Sequence, residues 1–117
     1  MPTGSRQPRL SLRVILRKGA AFGPGKAELL EHIRDTGSIA AAGRMMKMSY
    51  TRAWGLVNAM NRDFASPLVS SAKGGATRGG ATLTPLGEEV LGVYRRMETA
   101  SLRASTADLR TLHKKLR

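Results

Sequence analysis

Ser49, Tyr50, Thr51, Arg52, Gly55 and Asn58 crowd one short stretch with groups that could read base edges. Hydroxyl, guanidinium and amide groups match the donor and acceptor patterns of a DNA major groove. A glycine among them would let a partner come close to the backbone. A second group, Lys73, Gly74, Gly75, Arg78 and Gly79, mixes two cations with residues that have no side chain. Exposed backbone amides between cations suit phosphate oxygens better than bases. The bland alternatives are an ordinary helical hairpin in a core for the first group and a mobile surface loop for the second. Both groups would bind a partner; neither would break a bond.

Catalytic machinery is missing. The chain has no Cys, which removes disulfides, thiolate zinc sites and thiol nucleophiles. Its two histidines, His32 and His113, have no second metal-type ligand at a helical or turn spacing. The acidic pair Glu88-Glu89 falls at a helix N-terminus, where compensation of the macrodipole explains it. No enzyme activity, cofactor, catalytic residue or metal site is expected. No apolar run approaches the ~18 residues of a membrane span, and the N-terminus lacks a signal-peptide pattern. A cytoplasmic protein without membrane contact is expected.

Lys and Arg number 20 against 8 Asp and Glu, a formal charge of +12. That imbalance implies a polyanionic partner. Its distribution is more telling than its size. Residues 1–26 carry Arg6, Arg9, Arg13, Arg17, Lys18 and Lys26 and no acid, and between Asp35 and Glu88 the only acid is Asp63. A solvated surface mixes signs, whereas a phosphate-facing one avoids negative charge.

The elements that must position these groups follow from periodicity. Residues 1–8 read as a flexible tail. From Arg9 to Arg17, Leu10, Leu12, Val14 and Leu16 alternate with polar positions, a half-buried strand with a basic outer face. Gly19 to Gly25 reads as a loop. A first helix is expected over 26–36 with Leu29, Leu30 and Ile33 inward, stopped by Gly37. Ser38 caps a second helix, Ile39 to Met46, and Ser49 a third, running to about Phe64. In the third, Ala53, Val57, Met60 and Phe64 form the buried face, away from the polar group. Residues 68–71 and 81–83 form short strands around the glycine-rich loop, a hairpin. Thr84 caps and Pro85 opens a fourth helix with Leu86, Val90, Val93, Tyr94 and Met97 at helical spacing. A last helical segment with Leu109, Leu112 and Leu116 is expected to be kinked or separate near Ser101 to Ser105.

Two short helices joined by a tight turn, the second polar on one face, form the helix-turn-helix pattern. A basic hairpin after it reads as a wing. Gly37-Ser38-Ile39, Ala41-Ala42, Met48-Ser49-Tyr50, Ala53-Trp54 and Asn58-Ala59-Met60-Asn61 resemble the amino-terminal DNA-binding domain of ModE-type molybdate-responsive regulators. That helix-turn-helix is similar in turn to the one in LysR-type regulators. The resemblance runs from Leu10 to Met97 through Leu68-Val69, the paired glycines, Leu83-Thr84 and Gly87. Thr51 departs from it, standing where Lys is frequent, as does Ser70-Ser71, where a charged pair is usual. The resemblance implies a homodimer, and it implies oxyanion-sensing domains that these 117 residues do not hold. No molybdate binding by this chain is therefore expected.

The fold expected is mostly α with small β: a winged helix-turn-helix over 9–100, with an N-terminal strand and a long C-terminal helix. Residues 101–117 would form a helical extension used in dimerisation. The partner expected is double-stranded DNA. Ser49, Tyr50, Thr51, Arg52, Gly55 and Asn58 would enter the major groove, and Lys73, Gly74, Gly75, Arg78 and Gly79 would meet phosphates. The protein would regulate transcription by covering its operator. The alternative is a basic RNA-binding or ribosome-associated protein, which should display aromatics for stacking; aromatic content is 4%. Trp54 is open to two readings, packing or contact with DNA.

Overall fold

The computed structural model describes residues 7–71 and 80–117. A hairpin of β1 (Val14–Arg17) and β2 (Ala20–Phe22) leads into α1 (Pro24–Thr36), α2 (Ile39–Met45) and α3 (Tyr50–Asp63). Strands β3 (Val69–Ser71) and β4 (Ala81–Leu83) follow, and α4 (Pro85–Lys114) ends the chain. This is a winged helix-turn-helix, mostly helical with small β, and the wing strands pair antiparallel with Val69 opposite Leu83.

The three helices form because their apolar residues recur at helical spacing and their ends are capped. Gly37 closes α1 in the left-handed region at φ 72°. Ser38 Oγ then accepts from Ala41 N at 3.0 Å to open α2. Leu29, Leu30 and Ile33 of α1, Ala42 of α2, and Ala53, Val57 and Met60 of α3 meet in one buried core. Each large aliphatic side chain there contributes about 1.5–3 kcal/mol by leaving water. Close approach of α2 to α3 depends on Gly43, where an added Cβ would stand 3.0 Å from that of Ala53.

The N-terminal strand is shorter than expected, and it has a partner inside the expected loop. β2 is only three residues, two of them alanines that read poorly as strand. Pro24 ends it by opening α1 at N1, two residues earlier than expected. Residues 9–13 therefore find no ladder partner in β2. A bulge between Ile15 and Arg17 shifts the alternation, and Gly19 takes the turn's left-handed position at φ 83°. Leu12 and Val14 still pack on the core, but Leu10 and Leu16 are exposed, contrary to the simple alternation.

The expected break at 101–105 is absent, since α4 runs unbroken for 30 residues. Hydroxyls on either side of that stretch are absorbed by the helix itself: Thr99 donates to the Arg95 carbonyl and Thr106 to that of Leu102. At ~1.5 Å per residue this helix is about 45 Å long, and it sets most of the molecule's 56 Å long axis.

Only the first half of α4 is docked. Leu91 and Tyr94 are buried, and the Tyr94 hydroxyl donates to the Leu12 carbonyl at 2.6 Å. Burial pushes that hydroxyl's pKa up to about 12, so it stays a donor at physiological pH. Arg95 bridges Glu31 of α1 and Glu98 of its own helix at 2.8 and 2.6 Å. The hydrogen bonds from Arg95 hold the Glu31 carboxyl below the usual range. Further along, Leu102, Leu112 and Leu116 are exposed.

Candidate nucleic-acid interface

Presentation of α3 begins at its cap. Ser49 Oγ accepts from Arg52 N at 3.0 Å, which fixes the first turn. The preceding turn holds Lys47 at φ 58°, a left-handed position that costs a side chain about 1–2 kcal/mol. Such strain is tolerated where surrounding packing fixes the backbone, and here Met46 and Met48 on either side pack against the core.

With about 100° per residue, the exposed residues of α3 divide among three directions. Thr51, Gly55 and Asn58 point straight away from the buried line of Ala53, Val57 and Met60, and all three are exposed. Arg62 lies on the same outward line, four residues past Asn58, and is exposed too. It belongs to the same outward face, and continuing that i, i+4 spacing through the sequence would have found it. Tyr50 and Arg52 are exposed but leave that line on opposite flanks. Tyr50 stands edge-on to Trp54 with ring centroids 6.1 Å apart, and Trp54 itself is half-buried against the core. Trp54 therefore packs, and it braces Tyr50.

Gly55 has no internal reason to be glycine. A Cβ there would meet nothing within 4 Å, yet a mid-helix glycine costs about 1 kcal/mol relative to alanine. The bare backbone leaves room outside the molecule.

Asn61, which sequence reasoning left without a role, ties α3 to the wing. Its Oδ1 accepts from Leu68 N at 2.8 Å and Val69 N at 3.1 Å, while its Nδ2 donates to the Val69 carbonyl at 3.2 Å. On the other side, Thr84 N donates to the Leu68 carbonyl at 2.9 Å, and its hydroxyl accepts from Gly87 N to cap α4. Ala81 N reaches the Gly37 carbonyl at 2.9 Å, so β4 is hooked to the turn between α1 and α2. The base of the wing is thus fixed from both strands. Lys73, Gly74, Gly75, Arg78 and Gly79 lie outside the described residues.

On the other flank of α3, Arg52 and Leu56 line an open cleft with Arg13, Gly25 and Lys26. Arg17 lies further along this flank and pairs with Asp63 at 3.9 Å. Among the described residues, no group of three or more His, Asp or Glu could hold a metal ion, and no helix is long and apolar enough to cross a membrane.

No family model matches the chain. The molybdenum-pterin-binding protein MopB of Rhodobacter capsulatus is 46% identical over 85 residues, 73% of this chain and 32% of its own length. The DNA-binding transcriptional dual regulator ModE of Escherichia coli K12 is 34% identical over 88 residues, 75% of this chain and 34% of its own. The chain spans about a third of the length of the curated relatives it matches. Among solved structures, a DNA complex of the DNA-binding domain of CbnR, a LysR-type regulator, superposes with a TM-score of 0.58 at 18% identity. It covers 75% of this chain and 95% of that one, a likeness of fold. Through its winged helix-turn-helix domain, the chain is a relative of the ModE and Mop proteins.

Proposed function

We propose that the chain binds double-stranded DNA through α3 and regulates transcription by occupying its operator. The observation that carries this reading is the outward face of α3: exposed Thr51, Asn58 and Arg62 around a glycine that packing does not require. An α-helix with its side chains is ~10–12 Å across and a major groove ~12 Å wide, so such a face can enter it. The relatedness to a protein named as a DNA-binding regulator supports the same reading. It is a function of binding rather than catalysis, exercised in the cytoplasm. No molybdate site is assigned to this chain.

Base reading and phosphate holding separate by mutation. Thr51→Ala or Asn58→Ala should cost about 1–3 kcal/mol on the true site and much less on random DNA. Lys73→Ala or Arg78→Ala in the wing should weaken both DNAs alike and lower the salt slope by about one each. Operator fragments recovered by sequencing the DNA that co-purifies with the protein supply the true site. Binding titrations on recovered and scrambled duplexes then check the division. Wing variants that changed site choice while α3 variants did nothing would refute the groove assignment. An RNA-binding protein would instead prefer single strands, and the most exposed aromatic, Tyr50, is already engaged with Trp54.

The active form in this reading is a homodimer. Val93 and Met97 are about 40% exposed beside Leu16 in an apolar groove, and further along α4 Leu102, Leu112 and Leu116 are exposed on another side of the helix. Exposed apolar surface of that extent on a charged domain is expected to be covered. Residues 101–117 would contribute to the contact. Light scattering at micromolar concentration should give twice the 12.6 kDa chain mass; a clean monomer would contradict the dimer.

A further inference from the structure

We infer that the cleft lined by Arg13, Lys26 and Arg52 is a second phosphate-binding site for duplex DNA, on the flank of α3 away from the wing. The inference rests on the DNA-binding reading of α3 and adds to it where one backbone strand is held.

Three cations from three separate elements share this cleft: Arg13 from the segment before β1, Lys26 from the first turn of α1, and Arg52 from the first turn of α3. Among the described residues none of the three makes an ion pair. Lys26 is held in place by donating to the Ala21 carbonyl at 2.6 Å, and no acid lines the cleft. Lys26 is also in an electrostatically poor position, because a cation in a first turn opposes the helix macrodipole. The first turn of α1 has no acid and no capping side chain to offset it. Like charges held together without a counter-charge are mutually destabilising, and an anion between them reverses the sign.

The place of the cleft on α3 identifies the anion. From the buried line of the helix, Arg52 is rotated about 100° one way and Asn61 about 80° the other. Asn61 grips the first strand of the wing, so the cleft and the wing flank opposite sides of α3. A helix seated in a major groove has one phosphate strand along each side. The wing serves one strand, and the Arg13–Lys26–Arg52 cleft serves the other. Arg52 then positions the helix through a phosphate instead of reading a base.

The test uses the full chain and a 30-base-pair random-sequence duplex, with affinity measured across salt concentrations. The double variant Arg13→Ala/Arg52→Ala should make the slope of log affinity against log salt shallower by about two. Its unfolding curve should match the parent's, since both side chains are exposed. The control Arg34→Ala/Arg96→Ala removes two exposed cations, one in the last turn of α1 and one on the docked half of α4, and should leave the slope unchanged. An equal drop in both double variants would reduce the effect to overall charge and overturn the site. So would an unchanged slope in the cleft variant with DNA binding intact, and that result leaves the α3 reading standing. Failure of the parent chain to bind duplex at all defeats the α3 reading instead, and the cleft with it. Free inorganic phosphate is the other source of this chemistry. If it raised the melting temperature of the parent but not of the cleft variant, while duplex affinity were the same for both, the cleft would be a free-anion site and the inference wrong.

Discussion

Gly87→Ala is expected to lower the melting temperature by roughly 12 °C or more. An alanine Cβ at that position would stand 2.2 Å from the Leu68 carbonyl oxygen and 3.1 Å from its carbon. Both are backbone atoms, and neither can swing aside. The Leu68 side chain is fully buried, its N–H is held by Asn61, and its carbonyl accepts from Thr84. Relief therefore requires α4 to move away from β3, opening the contact on both sides. Overpacking of this kind costs about 3 kcal/mol, and each kcal/mol lowers the midpoint of a domain this size by about 4 °C or more. Gly55→Ala supplies the opposite case. With nothing within 4 Å of the new methyl, it should stabilise α3 by about 0.5–1 kcal/mol while weakening duplex binding. Melting curves of the two variants check the pair. A Gly87→Ala protein that melts with the parent would mean that α4 does not approach β3 as closely as described.

That contrast explains what was legible in the sequence. The helices were, because each has its own local signal: Ser38, Ser49 and Thr84 at caps, Gly37 at a stop, and apolar residues at a step of three or four. The wing strands were legible from their turn residues and from the capped helix that follows. β2 was not, since Ala20-Ala21-Phe22 is strand only through its pairing with β1, a non-local cause. The continuity of α4 was obscured by Ser and Thr, which can leave a helix or bond back to it, and here Thr99 and Thr106 on either side bond back. On α3, the outward placing of Thr51, Gly55 and Asn58 could be read by periodicity alone. Arg52 and Tyr50 could not, because the flank each one faces depends on where the wing and the β1–β2 hairpin dock. Asn61 and Gly87 carried no signal beyond their presence in the resemblance. Asn61 holds one carbonyl and two amides at the start of β3, and Gly87 leaves room for the Leu68 carbonyl.

The second large effect expected is on affinity. Duplex binding should weaken about a thousandfold between ~50 and ~200 mM salt, the loss produced by releasing counterions from about six phosphates. The charge distribution motivates that count. Of 20 Lys and Arg against 8 acids, three among the described residues are already matched: Arg34 with Glu88, Arg95 with Glu31 and Glu98, and Arg17 with Asp63. These paired acids lie where α4 docks and at the C-terminal end of α3. Around the helix-turn-helix stand Arg13, Lys26, Arg44, Lys47, Arg52 and Arg62, none in an ion pair among the described residues. Six uncompensated cations there are enough for six phosphates without any from the wing. A base-dominated interface would behave differently, because hydrogen bonds to base edges release few counterions and leave affinity nearly flat with salt. Titration of a random duplex and of a recovered site at four or more salt concentrations measures the slope. Parallel steep lines, offset by the specificity ratio, are the expected result. A shallow slope on duplex beside tight binding of single-stranded RNA would move the protein to the RNA-binding class.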